Sequence, residues 1–181
     1  DGPYHVDADH VGLATVERFA PHCDFFTLDV ADFIGAQAEP AAVAAFLDRH
    51  ADLPSYPGLP ASLDTGSMRV AAGRYLVAVG EAAKTYHRIR ELRGLRTRDD
   101  DDFVTEVSMD ETESPQSPAE LAVILAALAD EGIPVQTIAP KFSGRFNKGV
   151  DYVGDIAAFF EEFEADIRVA AWAAEGLGLP E

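Results

Sequence analysis

Apolar residues along this chain come in two rhythms. Short runs with alternating or continuous apolar character read as strands, and longer stretches with apolar positions every three or four residues read as helices. Four runs are strand-like: Tyr4–Val11, Phe25–Val30, Phe103–Met109 and Ile133–Pro140, the last with the character of a buried strand. Between them, Val16–His22 is a short helical candidate, and Glu39-Pro40 opens a helix to about His50 with Ala42, Val43, Phe46 and Leu47 at helical spacing. A Pro- and Gly-rich loop over Leu53–Gly66 breaks the pattern. Arg69–Arg93 then reads as one long helix with Val70, Leu76, Val77, Val79 and Ala83 inward. Ser117-Pro118-Ala119-Glu120 is a helix start: serine caps, proline takes the first helical position and Glu120 reaches back to close a capping box. That helix runs to about Glu131, buries Leu121, Ile124, Leu125 and Leu128, and ends at Gly132; a last one spans Ile156 to about Gly176.

Strands alternating with helices at this spacing predict an α/β fold of parallel β/α units. No glycine fingerprint for a dinucleotide or P-loop follows any strand, which disfavours a nucleotide-binding sheet. Polar residues crowd the predicted C-terminal ends of the strands instead: Asp7, Asp9 and His10, then Asp29, then Asp110 and Glu111, then Lys141. A (β/α)8 TIM-barrel-like fold places its active site there. Four strands make about half of such a barrel, so residues 1–181 are expected to be one partial barrel domain. The rest is expected C-terminal to it, with an N-terminal part left open. The missing initiator methionine points the same way, to a trimmed product or an excised fragment. Half a barrel leaves edge strands unpaired, which predicts a homo-oligomer or aggregation.

Composition narrows the partners. There are 14 Lys+Arg against 32 Asp+Glu, a formal net charge of -18, which argues against nucleic acid because phosphate neutralisation needs a basic face. No segment reaches the length of a membrane span. The one cysteine, Cys23, rules out an internal disulfide and fits a reducing cytosol, so a cytoplasmic location is expected.

Against that acidic background, Lys141-Phe142-Ser143-Gly144-Arg145-Phe146-Asn147-Lys148-Gly149 holds three cations and two glycines in nine residues. After a strand, such a loop reads either as a pocket for a small anion, through charge-assisted donors, or as solvated surface. In Asp7-Ala8-Asp9-His10, Asp7 and Asp9 share one side of an extended strand and His10 sits at its exit. Carboxylate plus imidazole suits Zn, Mn, Ni or Fe; the alternative is a hydrogen-bonded polar strand end. Asp110-Glu111 precedes a capped helix, so it serves either site chemistry or the helix dipole. Asp155 either caps the last helix or completes a metal set with His10. The run Asp99–Asp102 reads as a solvated turn. Trp172, Phe159, Phe160 and Phe163 stand at helical spacing and read as core.

The run from Thr137 to Asp155 closely resembles the tagaturonate/fructuronate epimerase family, as do Tyr4–His10 and Asp110–Glu120, in the family's order. Ser143 stands where threonine is expected, which keeps the hydroxyl. Family members are more than twice as long, and a further histidine-bearing metal segment is expected beyond Glu181. The resemblance implies divalent-metal-dependent interconversion of D-tagaturonate and D-fructuronate. It suggests Asp9 as proton acceptor, Glu111 as the opposing acid, and His10 and Asp155 as metal ligands. Lys141, Arg145 and Lys148 are assigned here to the substrate carboxylate, with Asp7 and Asp110 beside them as substrate-binding. The inverted carbon lies β to the ketone and is not acidified by it, so retro-aldol cleavage, aldehyde rotation and re-addition avoid a high barrier. Two alternatives use the same residues: a metal-dependent sugar-acid aldolase or keto–aldose isomerase on a barrel, and a fragment that binds metal or sugar acid without turnover.

Overall fold

The computed structural model describes residues 4–97, 100–110, 112, 114–147 and 149–180. Glu111 and Lys148, predicted for the site, lie outside the described residues, as do Arg98 and Asp99. Four parallel strands form one sheet in sequence order: β1 (Asp7–Val11), β2 (Phe25–Asp29), β3 (Val104–Ser108) and β4 (Thr137–Ala139). The helices are α1 (Pro40–Arg49), α2 (Thr65–Arg93), α3 (Pro118–Asp130) and α4 (Ile156–Leu177). Val16–Arg18 makes only a short 3-10 turn where a helix is expected.

The core lies between the sheet and the helices. Phe26, Leu28 and Val107 point into it and are fully buried, and Phe26 meets Phe103 edge-on at 5.4 Å. Helix α3 is buried on nearly every side, from Leu121 through Leu128, because α2 and α4 flank it. Its predicted capping box is present: Glu120 N–H donates to Ser117 Oγ (3.3 Å) and Ser117 N–H to Glu120 Oε2 (2.8 Å). The other oxygen of Glu120 accepts from Arg74 and from Tyr75 Oη, both at 3.2 Å. Burial first, then the Glu120 charge, pushes the Tyr75 hydroxyl up to about 12.

Three expectations need correction. Helix α2 begins at Thr65, inside the predicted loop, because Asp64 caps it and forms a reciprocal box with Ser67. Its buried face includes Met68, Ala72, Tyr75, Val79, Ala82, Ala83, Tyr86 and Ile89, so Val79 and Ala83 point inward as expected, while Leu76 and Val77 are half-buried and Val70 is exposed. The acidic run is not merely a solvated turn. Asp102 takes both Nε and Nη2 of Arg93 at 2.9 Å, and Asp101 pairs with Arg90 and accepts from Tyr86. These acids lock the end of α2 onto the approach to β3.

Candidate active site

One face of the sheet packs on helices; the other carries polar side chains. On this open face Thr27 Oγ1 donates to Glu106 Oε1 (3.1 Å) and Thr137 Oγ1 to Glu106 Oε2 (2.9 Å), so one carboxylate bridges β2, β3 and β4. Asp7 opens β1 rather than closing it, so it sits at the base of this row and not at the mouth where the sequence places it. Its pKa is raised, first by burial, then by the charges of Asp9 and Glu106.

Asp9 and His10 reach the same face by a β-bulge. Ala8 pairs with Phe26 and Val11 with Leu28, so two residues of β1 stand opposite Thr27 alone. Ala8 and Val11 both turn into the core, leaving Asp9 and His10 together on the open side. The distortion falls on His10, whose φ is 56°, a left-handed conformation that L side chains rarely adopt. The imidazole lies between two acids: Nε2 is 3.5 Å from Asp9 Oδ1, and Nδ1 is 3.7 Å from Asp29 Oδ2 at the end of β2.

Gln116 joins the ends of β3 and β4. Its buried side chain donates to Met109 O (3.2 Å) and Thr112 Oγ1 (3.1 Å) and accepts from Lys141 N–H, while its own N–H donates to Lys141 O (3.1 Å). Lys141 and Asp110 therefore flank a fixed gap, and both line a cavity of about 330 Å³ with Phe142, Phe146, Phe159 and Phe163. Gln116 and Glu106 went unread in the sequence. A lone polar residue before a cap, or one acid inside a strand, carries no signal of its partners.

The cationic loop is closed on itself. Arg145 and Val153 form an antiparallel bridge (2.9 and 3.2 Å), and Tyr152 Oη donates to Ser143 O (3.1 Å). Ser143 is tied to α4 through Glu162, by N–H at 3.0 Å and Oγ at 2.7 Å. The phenylalanines of α4 are not core: Phe160 and Phe163 are 57% and 43% exposed, and Phe142 of the loop meets Phe159 edge-on and Phe163 at a tilt, whereas Trp172 is buried.

Asp155 caps α4, with Oδ1 accepting from Ala157 N (2.9 Å) and Ala158 N (3.2 Å). Among the described residues no group of three His, Cys, Asp or Glu gathers as a metal cage. The chemistry of one corner does fit a divalent cation. The imidazole of His10 is a donor suited to a first-row divalent ion, and the carboxylates of Asp9 and Asp29 beside it, at 3.5 and 3.7 Å, make the surroundings anionic.

Residues 59–174 match the family model described as tagaturonate epimerase. A curated tagaturonate/fructuronate epimerase from Thermotoga maritima is 32% identical over 107 residues, which is 59% of this chain and 21% of that protein. A glycerol-complexed crystal structure of the fructuronate-tagaturonate epimerase UxaE from Cohnella laeviribosi is similar with a TM-score of 0.72 at 22% identity, covering 97% of this chain and 38% of that one. The native crystal structure of that enzyme gives 0.65 at the same identity. The structural likeness is one of fold, and the chain spans well under half the length of either relative.

Proposed function

This chain belongs to the tagaturonate epimerase family, and on that premise we propose that it carries part of the active face of a cytoplasmic, metal-dependent enzyme interconverting D-tagaturonate and D-fructuronate. Its four strands would supply about half of a (β/α)8 barrel. The observation that carries the reading is the bulge in β1, which spends a strained His10 backbone to bring an imidazole and a carboxylate to one face at a strand's C-terminal end.

His10 would hold the cation through Nε2, with Asp155 as the second ligand suggested by the family's pattern. A bound divalent metal would polarise the ketone oxygen as a Lewis acid. Asp9, with its side chain 68% exposed, is free to take the hydroxyl proton at the carbon to be inverted. Glu111 would return a proton on the opposite face, a division of labour that inversion requires. Lys141, held by Gln116, would meet the substrate carboxylate together with Arg145 and Lys148. The phenylalanine wall would exclude water from the chain of the keto acid.

The experiment is epimerisation of D-tagaturonate by the chain with added Mn²⁺ in deuterated water, followed by NMR. The expected product is D-fructuronate without solvent deuterium at the inverted carbon. Deuterium there at every turnover would sink the retro-aldol route, and equal turnover of uncharged ketohexoses would remove the anion pocket. The share of its relatives that the chain spans, 38% of the Cohnella laeviribosi structure, favours one second reading, a chain that binds metal and sugar acid without turnover. Stoichiometric Mn²⁺ binding with no epimerisation would select it.

A further inference from the structure

We propose that Asp29 is a positioning residue, which fixes the tautomer of His10 and thereby leaves Nε2 free to bind a cation. The inference rests on the preceding assignment of His10 as a ligand and adds the residue that prepares it.

The two carboxylates beside the imidazole differ in how firmly they are held. Asp29 is anchored, since its Oδ1 accepts the Ala31 N–H at 3.1 Å and so directs Oδ2 to within 3.7 Å of His10 Nδ1. Its side chain is 34% exposed, half the value for Asp9. Asp9 faces Nε2 from the solvent side and is the freer of the two. A fixed, half-buried carboxylate orders the proton on the nearer nitrogen, because its field acts in a less polarisable setting. The proton then sits on Nδ1 although Asp9 is the nearer acid, 3.5 Å from Nε2 against 3.7 Å, because water screens the exposed Asp9 more than the anchored Asp29. The lone pair on Nε2 faces the solvent side. At 3.7 Å the contact is electrostatic rather than a direct hydrogen bond; a small turn of the ring closes it. The backbone supports the same end. The bulge, with His10 at φ 56°, sets the imidazole on the open face beside the end of β2, where Asp29 stands. Metal-ligating histidines commonly donate their second N–H to such an acid, which orients the ring and raises its basicity.

The test is the imidazole tautomer, read from long-range ¹H–¹⁵N correlations of the full chain at about pH 9, well above the usual imidazole range. The expected wild-type state is Nδ1–H. Asp29→Asn keeps the oxygen on Ala31 and turns an amide N–H₂ toward the ring, so His10 should switch toward Nε2–H. Asp29→Ala should give a mixture, and Asp9→Asn should leave Nδ1–H in place. Mn²⁺ affinity should fall about tenfold or more in both Asp29 variants. A wild-type ring protonated on Nε2, which needs no variant to observe, overturns the proposal, and so does an unchanged tautomer in both Asp29 variants. A wild-type chain that binds no Mn²⁺ while Asp29→Asn still switches the tautomer supports the role of Asp29 and removes the metal from the preceding reading.

Discussion

At the scale of single residues, Asp166 is a buried carboxylate that costs stability when charged. It stands on α4, only 7% exposed, and its Oδ1 has no hydrogen-bond partner among the described residues. Burial, then the charge of Glu162, pushes its carboxyl up to about 7. A raised folded pKa means that the native state holds the proton more tightly than the unfolded chain does. Stability from this group is therefore greatest below the usual carboxylate range and falls as pH rises from about 4 to about 7. Asp166→Asn should accordingly leave stability unchanged near pH 4. Above pH 7 it should raise stability by on the order of 2 kcal/mol. Urea unfolding of both proteins at the two pH values checks this; an equal difference at both would show that packing, not ionisation, sets the effect.

At the scale of elements, the loop after β4 closes on the Tyr152 hydroxyl, which lies against Gly144 and Gly154. A Cβ at Gly144 would lie 2.3 Å from Tyr152 Oη, at a φ of +85°, whereas a Cβ at Gly149, at +81°, would meet nothing within 4 Å. Gly149→Ala should therefore cost only the backbone strain, about 1 kcal/mol. Gly144→Ala should cost more, about 2–3 kcal/mol, by forcing Tyr152 out. Amide exchange at Ser143 and Arg145 reads the difference, and equal protection in the two variants would refute the packing argument. The same loop shows where sequence reasoning stopped. Elements with a local signature were legible: the Ser117–Glu120 box fixed the start of α3, and Gly132 its end. The start of α2 was missed because an Asp64–Ser67 box is a weaker pattern within a Pro/Gly run. Only Thr137–Ala139 of the run after α3 is strand, although Ile133 and Val135 are buried. The phenylalanines of α4 show helical spacing, but spacing cannot say whether the face they form meets a core or an open cavity. Asp9 and His10 were legible by type and strand position. The bulge that brings them together was not, because it depends on the register against β2.

At the scale of the whole molecule, hydrogen bonding and charge pull in opposite directions. Among the described residues, β1 pairs only with β2 and β4 only with β3, so the parallel sheet has two unpaired edges. The β4 edge opens onto a groove of about 370 Å³ lined by Leu125, Ile138, Ile167, Ala171 and Leu179. Unpaired backbone beside exposed apolar surface promotes association. The formal net charge of -18 opposes it, since two copies repel over a range set by the Debye length. That length is about 30 Å at 0.01 M salt and about 3 Å at 1 M. Self-association should therefore be weak at low ionic strength and rise steeply with salt at fixed protein concentration. Sedimentation velocity across that salt range measures it. A monomer at every ionic strength would mean that the edges are masked in solution, and association that falls with salt would mean that ion pairs, not the open edges, hold the copies together. A substitution to lysine at Ile138, which packs against the core beside the groove, would confound the comparison by disturbing the fold. Ile167→Lys is the better probe, because Ile167 is 54% exposed and lines the groove from α4. A buried charge at an interface would then suppress the salt-induced association while leaving the monomer's unfolding free energy within about 0.5 kcal/mol of the parent.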